Sequence, residues 1–323
     1  MKKLSYILCC LFAVDAFAAD TGLGEQLQKT KNACSGISEQ LGDLKTRAGI
    51  NTALTGVGTV AGGVALGTGL AKASVDADIE KIEKSLKELE EKQRAYEGHY
   101  NQIMLSGDLF AECETLISLN KSVADADKSK SDMQAKIDAA TDKSKSLGNV
   151  RTGAMAGAAV TDTVGTILAA GNRVDDALQS KIESCVRETN NLQNAYNVAR
   201  AENTADEATL QKAVNVMEQC GAWSDVDLSG INNKSKGAAI SGGTGAALAL
   251  AGMITSASAN SESVRSDDTD EGKAKEKNLN TASNILAGGT SAASLVSTVF
   301  SATQISAIKK AASVAEKCEE ALQ

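Results

Sequence analysis

Residues 23–48 read LGEQLQKTKNACSGISEQLGDLKTRA. Within them Leu23, Leu27, Thr30, Cys34, Ile37, Leu41, Leu44 and Ala48 alternate four and three residues apart. That heptad spacing keeps one stripe of a helix facing a partner helix, whereas a half-buried strand alternates with period two. A second stripe, Leu178, Ile182, Cys185, Thr189, Leu192, Tyr196 and Ala199, repeats the spacing. Two longer stripes lie between them. Val75, Ile79, Ile82, Leu86, Leu89, Gln93, Tyr96, Tyr100 and Ile103 run outward, and Val123, Ala126, Lys130, Met133, Ile137, Ala140, Ser144 and Leu147 run back. Together they predict a two-helix coiled-coil stalk with its tip near residues 106–111, where Ser106-Gly107-Asp108 suits a turn.

Composition points the same way. The 323 residues include no proline, 28 glycines, one tryptophan, four tyrosines and four phenylalanines. A β-sandwich or a large α/β fold draws on aromatic and β-branched strand residues and on proline in its turns, so the expected class is all-α. Inside a helix, proline removes a hydrogen bond and clashes with the preceding turn, at about 3 kcal/mol. The single histidine, His99, leaves histidine metal sites and catalytic triads almost without material.

Lys2-Lys3, the apolar run Leu4 to Val14, and Ala16 and Ala18 around Phe17 predict a secretory signal peptide over 1–18. Cys9 and Cys10 belong to it, and no cysteine stands at the cleavage point where a lipoprotein signal needs one. Loss of Lys2, Lys3 and Asp15 takes the net charge from −8 to −9. An acidic chain offers no basic groove for nucleic acid, and export permits disulfides. The expected location is the periplasm or cell envelope.

Five cysteines remain: Cys34, Cys113, Cys185, Cys220 and Cys318. In an antiparallel helical hairpin with equal arms, residues equidistant from the tip face each other. Cys34 and Cys185 are centred on position 109.5, beside the first tip. Cys220 and Cys318 are centred on 269, within Asp267-Asp268-Thr269-Asp270-Glu271-Gly272, which reads as a second tip at 267–272. The predicted disulfides are Cys34–Cys185 and Cys220–Cys318. Cys113 is left unpaired, as a thiol buried in the stalk seam or as a bridge to another molecule. Each half runs cysteine, Gly/Ala segment, charged insert, Gly/Ala segment, cysteine, the pattern of a diverged duplication. The expected division is a long hairpin over 19–200, a connector helix and loop over 201–236, and a short hairpin over 237–323. Thr204-Ala205-Asp206-Glu207 reads as a capping box that starts the connector helix, with the loop running from Ala222 to Lys236.

The Gly/Ala-rich segments cover about 51–72, 148–171, 237–257 and 282–303. Continuing the first heptad puts Thr55, Gly58, Gly62, Ala65 and Gly69 on the seam and leaves Val57, Val60, Val64, Leu66 and Leu70 off it. Gly153-x-x-x-Gly157 and Gly242-x-x-Gly245 predict two further small-residue stripes. Such stripes let helix backbones approach closely, and they resemble the glycine-zipper segments of envelope proteins. The resemblance implies tightly packed helices, in water or in a bilayer. Asp162 stands in mid-segment, where a carboxylate costs about 3 kcal/mol on insertion scales. With aromatic belts also missing, the expectation is a soluble four-helix core with its Val/Leu faces turned inward. Membrane-inserting hairpins are the alternative, since about 20 residues suffice to span.

Candidate chemistry is sparse. Asp225-x-Asp227-x-Ser229-Gly230 has the opening spacing of a calcium loop, yet Lys236 stands where the bidentate glutamate belongs. Asp225, Asp227 and Ser229 therefore read first as a polar turn. Gly56-x-Gly58-x-x-x-Gly62 lacks the preceding strand of a dinucleotide loop. Trp223 beside Cys220 reads as a core plug. No cofactor and no acid–base pair is expected. The sequence thus predicts an all-α fold: two antiparallel helical hairpins forming a Gly/Ala-rich four-helix bundle with a projecting coiled-coil stalk. The expected role is that of an exported, non-enzymatic envelope protein, structural or binding a protein partner or itself through the coiled coil. A membrane-inserting or pore-forming protein is the alternative.

Overall fold

The structure is a computed structural model that describes residues 22–106, 113–267 and 269–323. The expected signal peptide, Asp268 and all of the first tip except Ser106 lie outside the described residues. Among the latter the fold is all-helical, in the order α1 (Leu23–Cys34), α2 (Ile37–Ser106), α3 (Cys113–Gly171), α4 (Asp176–Glu202), α5 (Glu207–Gly221), a 3-10 turn (Ala222–Asp225), α6 (Leu228–Ala259), α7 (Glu262–Arg265) and α8 (Asp270–Leu322).

Local chemistry explains where these helices stop. The first heptad stripe is broken at Gly36, whose φ of +74° is a left-handed conformation that glycine adopts without steric cost. Cys34 and Ile37 flank the break and are both buried, so the seam continues across it. Asn203 closes α4 in the left-handed region, and the Thr204 amide is spent on the Ala199 carbonyl. That leaves Asp206 to cap α5 by accepting from the Thr209 amide at 2.6 Å, two residues beyond the expected capping box. The expected loop over 222–236 is also shorter than the sequence reading. Asp227 accepts from the Gly230 amide and the Ser229 hydroxyl, both at 2.8 Å, and α6 is already running from Leu228.

The described helices form two compact units, each drawn from distant parts of the chain. Unit 1 comprises Met1–Val57 (described from Gly22), Thr161–Thr244 and Ala293–Gln323. Its core joins Ile37, Leu41 and Leu44 to Leu178, Ile182 and Leu192, and to Val216, Trp223, Ile231 and Ile308. At about 1.5–3 kcal/mol for each large aliphatic fully buried, this cluster carries most of that unit's hydrophobic stabilisation.

Unit 2 comprises Gly58–Val160 and Gly245–Ala292. Its core cluster is Ala65, Met155, Ala158, Ala159, Ala249 and Ala287, far poorer in large side chains. Within it α2 and α3 run antiparallel. The Ser144 hydroxyl donates to Asp76 Oδ1 at 2.5 Å, Lys130 Nζ lies 3.6 Å from Glu90 Oε1, and Gln93 Nε2 donates to Asp127 Oδ1 at 2.9 Å. All three pairs are equidistant from position 110. Ile103, Leu119, Ala126 and Ile137 are buried along these arms.

Candidate functional site

In unit 1, Cys34 and Cys185 are joined by an S–S bond of 2.02 Å, and Cys220 and Cys318 by one of 2.01 Å. The sulfurs of Cys34, Cys220 and Cys318 lie within 4.8 Å of one another, so the two disulfides sit side by side in one apolar core. Bound as disulfides, they are not the thiolates that a metal requires. Trp223 packs in the same core, as its position beside Cys220 predicts.

Cys113 is a free thiol and is exposed, which corrects the expectation of a buried seam position. It is the first residue of α3. His99 is exposed too. Asp227 and Ser229 spend their side chains on the start of α6, and the Asp225 carbonyl accepts from Lys310 Nζ at 2.9 Å. Hydrogen bonds from the Gly230 amide and the Ser229 hydroxyl hold the Asp227 carboxyl below the ordinary 3.8. Asp227 and Ser229 are thus arranged at a helix start, and Asp225 belongs to the preceding 3-10 turn. Gly56, Gly58 and Gly62 lie inside α2 and form no loop.

The Gly/Ala-rich segments are where the structure departs from the sequence reading. In unit 1 the buried positions include Asn51, Thr55, Asp162, Gly242, Ser294, Ser297 and Ser301, while Val57, Val164, Ile167, Ile240 and Val299 face outward. Ile240 is 73% exposed and Ile167 66%. Unit 2 shows the same inversion by itself. Gly62, Ala65, Gly69, Arg151, Ser256, Asn280 and Thr290 are buried, whereas Val60, Leu70, Val160, Ile254 and Ile285 are exposed. The expectation that the Val/Leu faces turn inward is therefore corrected.

Steric fit gives the reason. The Cβ that Gly62 lacks would sit 2.7 Å from Ser291 Oγ and 3.0 Å from the Ser291 backbone nitrogen, which leaves no room for an aliphatic side chain. The heptad positions Thr55, Gly58, Gly62, Ala65 and Gly69 are all buried. The Gly153/Gly157 stripe is not. Both glycines are exposed and have no neighbour within 4 Å of a built Cβ, and the α3 seam consists of Arg151, Met155, Ala158, Asp162, Gly165 and Ala169 instead.

Many of the polar groups inside each unit are hydrogen-bonded to one another. In unit 1, Asn51 Nδ2 donates to Ser301 Oγ at 2.6 Å, Thr298 Oγ1 to Thr55 Oγ1 at 3.1 Å, and Ser294 Oγ to Asp162 Oδ2 at 2.5 Å. In unit 2 the fully buried Arg151 guanidinium donates to Ser256 Oγ, Asn284 Oδ1 and Asn280 Oδ1 at 2.8–3.0 Å. Lys72, also fully buried, lies 2.7 Å from Asp76 and 3.0 Å from Glu276. Sequence reasoning missed Arg151 and Lys72. Lys72 continues the spacing of the seam it ends, Gly62, Ala65 and Gly69, so that pattern could have flagged it.

No protein family, curated protein or solved structure matches this chain. An open cleft of about 650 Å³ in unit 1 sets Arg47, Arg173 and Lys236 beside Asp43, Asp175 and Asp176, and its lining contains no serine, cysteine or histidine. Among the described residues, four helical stretches are long and apolar enough to cross a membrane, and only 28–33% of the most apolar window of each is buried within the protein.

Proposed function

We propose that this chain is a non-enzymatic envelope protein held in a bilayer by its four Gly/Ala-rich helical segments, which pack as a four-helix bundle, and that it presents the α2/α3 arms as a coiled-coil interaction module. The observation that carries the reading is the inversion of α2, α3, α6 and α8: hydroxyls, amides and glycines inside, branched aliphatics outside. In water such a surface is unfavourable by roughly 25 cal/mol per Å² of exposed apolar area. In lipid, association rests on close packing and hydrogen bonds between helices, which small and polar seams supply. Along α2 the outward aliphatics run from Ile50 to Leu70. At 1.5 Å per residue that is about 30 Å, the thickness of a hydrocarbon core.

This arrangement assigns sides. Each segment separates a cysteine-bearing part of the chain from a charged insert, so the disulfides face the oxidising compartment and the arms around 73–147 the opposite one. The antiparallel contacts 76/144, 90/130 and 93/127 support a two-helix arm that reaches away from the spans to meet a partner or a second copy.

Membrane fractionation combined with thiol labelling tests the proposal. The protein is expected to stay in the membrane pellet after carbonate washing and to leave it in detergent. Single cysteines at Val60, Ile240 or Ile285, in a Cys113→Ser background with both disulfides intact, are expected to resist a water-soluble maleimide. Native Cys113 and a cysteine at Lys310 are expected to react, from opposite sides of a sealed membrane. Release with the soluble fraction, or equal labelling at all these positions, would overturn the reading.

A further inference from the structure

We propose that the open cleft of unit 1 is a headgroup site for a zwitterionic phospholipid with a primary ammonium, of the phosphatidylethanolamine class, in the leaflet facing the oxidising compartment. This deepens the bilayer reading above and rests on it. The cleft, of about 650 Å³, is lined by three cations, Arg47, Arg173 and Lys236, and by three carboxylates, Asp43, Asp175 and Asp176. Asp175 is spent on the Leu178 amide at 2.7 Å, where it caps α4. Among the described residues, the other five side chains make no hydrogen bond or ion pair. Charges of both signs therefore share one concave surface without closing on each other, and they are open to a ligand that carries both.

The place of the cleft along the spans selects the ligand. Arg47 stands three residues before Ile50, Lys236 four before Ile240 and Arg173 six after Ile167. Those isoleucines are 50%, 73% and 66% exposed. Each cation thus lies just past the end of an outward aliphatic row, at the level where the headgroup region of a bilayer begins. The carboxylates follow further along. Asp43 precedes Arg47 by four residues on the same face of α2, about 6 Å along the axis at 1.5 Å per residue. Asp176 opens α4, which leads away from the span to the Cys34–Cys185 disulfide. Cation first and carboxylate second is the order that complements a phosphoethanolamine headgroup, whose phosphate adjoins the glycerol and whose ammonium is terminal. Arginine forks match phosphate oxygens, and carboxylates accept from the N–H bonds of a primary ammonium. A choline headgroup has no such N–H to donate, and a glycerol headgroup brings a net negative charge to three carboxylates. With three charges of each sign the lining is neutral, as the zwitterion is.

Native mass spectrometry of the full-length protein in detergent tests the site. Phosphatidylethanolamine, phosphatidylcholine and phosphatidylglycerol of matched acyl chains are offered together at equal concentration. The native chain is expected to retain phosphatidylethanolamine about tenfold over either competitor, the factor that one further charge-assisted contact supplies. Arg47→Gln with Arg173→Gln should lower that retention about tenfold. Asp43→Asn with Asp176→Asn should abolish the preference over phosphatidylcholine and raise phosphatidylglycerol. All four side chains are exposed and the Asp175 cap is left intact, so Trp223 fluorescence should give unfolding temperatures equal to the native chain's. Equal retention of the three lipids by the native chain, or a preference that survives the carboxylate variants, would overturn the site. Carbonate washing of the source membranes scores the bilayer reading separately. A protein that stays in the pellet and selects no lipid refutes the headgroup site alone, whereas release refutes the bilayer reading itself.

Discussion

Gly62 and Gly63 are neighbours on α2 and offer a controlled test of the close packing. A methyl at Gly62 would meet Ser291 Oγ at 2.7 Å, its backbone nitrogen at 3.0 Å and its Cα at 3.2 Å. The last two are backbone atoms and cannot swing aside. A methyl at Gly63 meets nothing within 4 Å. Replacement by alanine gains up to about 1 kcal/mol of helix propensity at either site, so the difference between the two variants isolates the clash. Overpacking of this kind costs about 1–3 kcal/mol. Gly63→Ala is therefore expected to be neutral or stabilising, and Gly62→Ala to fall below it by about 1–3 kcal/mol. At about 2–4 °C per kcal/mol for a domain of 150–250 residues, their unfolding temperatures should differ by several degrees. Trp223 fluorescence or far-ultraviolet circular dichroism of the detergent-solubilised protein reads the difference. Ser291→Gly in the Gly62→Ala background removes only the nearest of the three atoms and should restore part of the loss. Equal shifts for Gly62→Ala and Gly63→Ala would refute the close approach of α2 and α8 at this position.

Three further outcomes follow from the geometry. Serine at Cys34 and Cys185, or at Cys220 and Cys318, opens a loop of 151 or 98 residues' separation; the chain-entropy account gives about 5 kcal/mol for each, measured as a fall in unfolding temperature that the native chain reproduces only on reduction. Lys72→Met leaves Asp76 and Glu276 without their shared cation, and since both carboxylates are partly exposed the loss should be about 1–3 kcal/mol; Glu276→Gln in the same chain should recover part of it, and additive effects in the double variant would exclude the coupling. Asp206 and Asp227 are held below their ordinary 3.8 by hydrogen bonds from Thr209 and from Gly230 and Ser229 respectively. Their contribution is complete above that value and is lost as pH falls through the lower folded-state values, so Asp206→Asn with Asp227→Asn should flatten the acid limb of an unfolding-temperature profile below about pH 4.

The positions that pack were more legible than the solvent they pack in. Heptad spacing identifies Cys34, Ile37, Leu41, Leu44 and Ala48 as one face, and all five are buried. It extends correctly through Thr55 to Gly69, because helix periodicity is indifferent to which side chains occupy the stripe. Which face meets solvent is a separate question. The rule that aliphatics avoid water would turn the Val57, Val60 and Val64 row inward, and the structure places it outward. Periodicity also overlooks the interruptions. Gly36 adopts a positive φ in the middle of an unbroken heptad, and Gly153 and Gly157 satisfy the small-residue spacing on an exposed face where an added Cβ meets nothing within 4 Å. A stripe of glycines shows that helices could approach, and only the remainder of the seam shows whether they do. Arg151 and Lys72 were hidden for a related reason: long basic side chains in polar stretches read as surface, and their partners, Asn280, Asn284 and Glu276, stand more than 120 residues away.

Helix α8 sets the two kinds of seam end to end. Its buried seam runs through Asn280, Ser283, Ala287, Thr290, Ser294, Ser297, Ser301, Gln304, Ile308, Ala311, Ala315 and Cys318 in unbroken four–three alternation, and Gly272, Ala312, Ala321 and Leu322 are buried as well. Up to Gln304 that seam is small or polar, and from Ile308 it is apolar or sulfur-bearing. The outer face changes in the opposite sense, from Ile285, Leu295 and Val299 to Lys309, Lys310 and Lys317. Packing geometry cannot cause this exchange, because the register does not move. Water alone rewards an apolar seam along the whole length. On the bilayer reading proposed above, a solvent that changes along the helix accounts for the exchange. Where water surrounds the helix, burying Ile308 and the disulfide core drives association. Where lipid surrounds it, aliphatics gain nothing by turning inward, and serines, threonines and glycines hold the helices by contact and hydrogen bond. The register fixes where the helices touch, and on the proposed bilayer reading the chemistry of each stretch matches the solvent outside it.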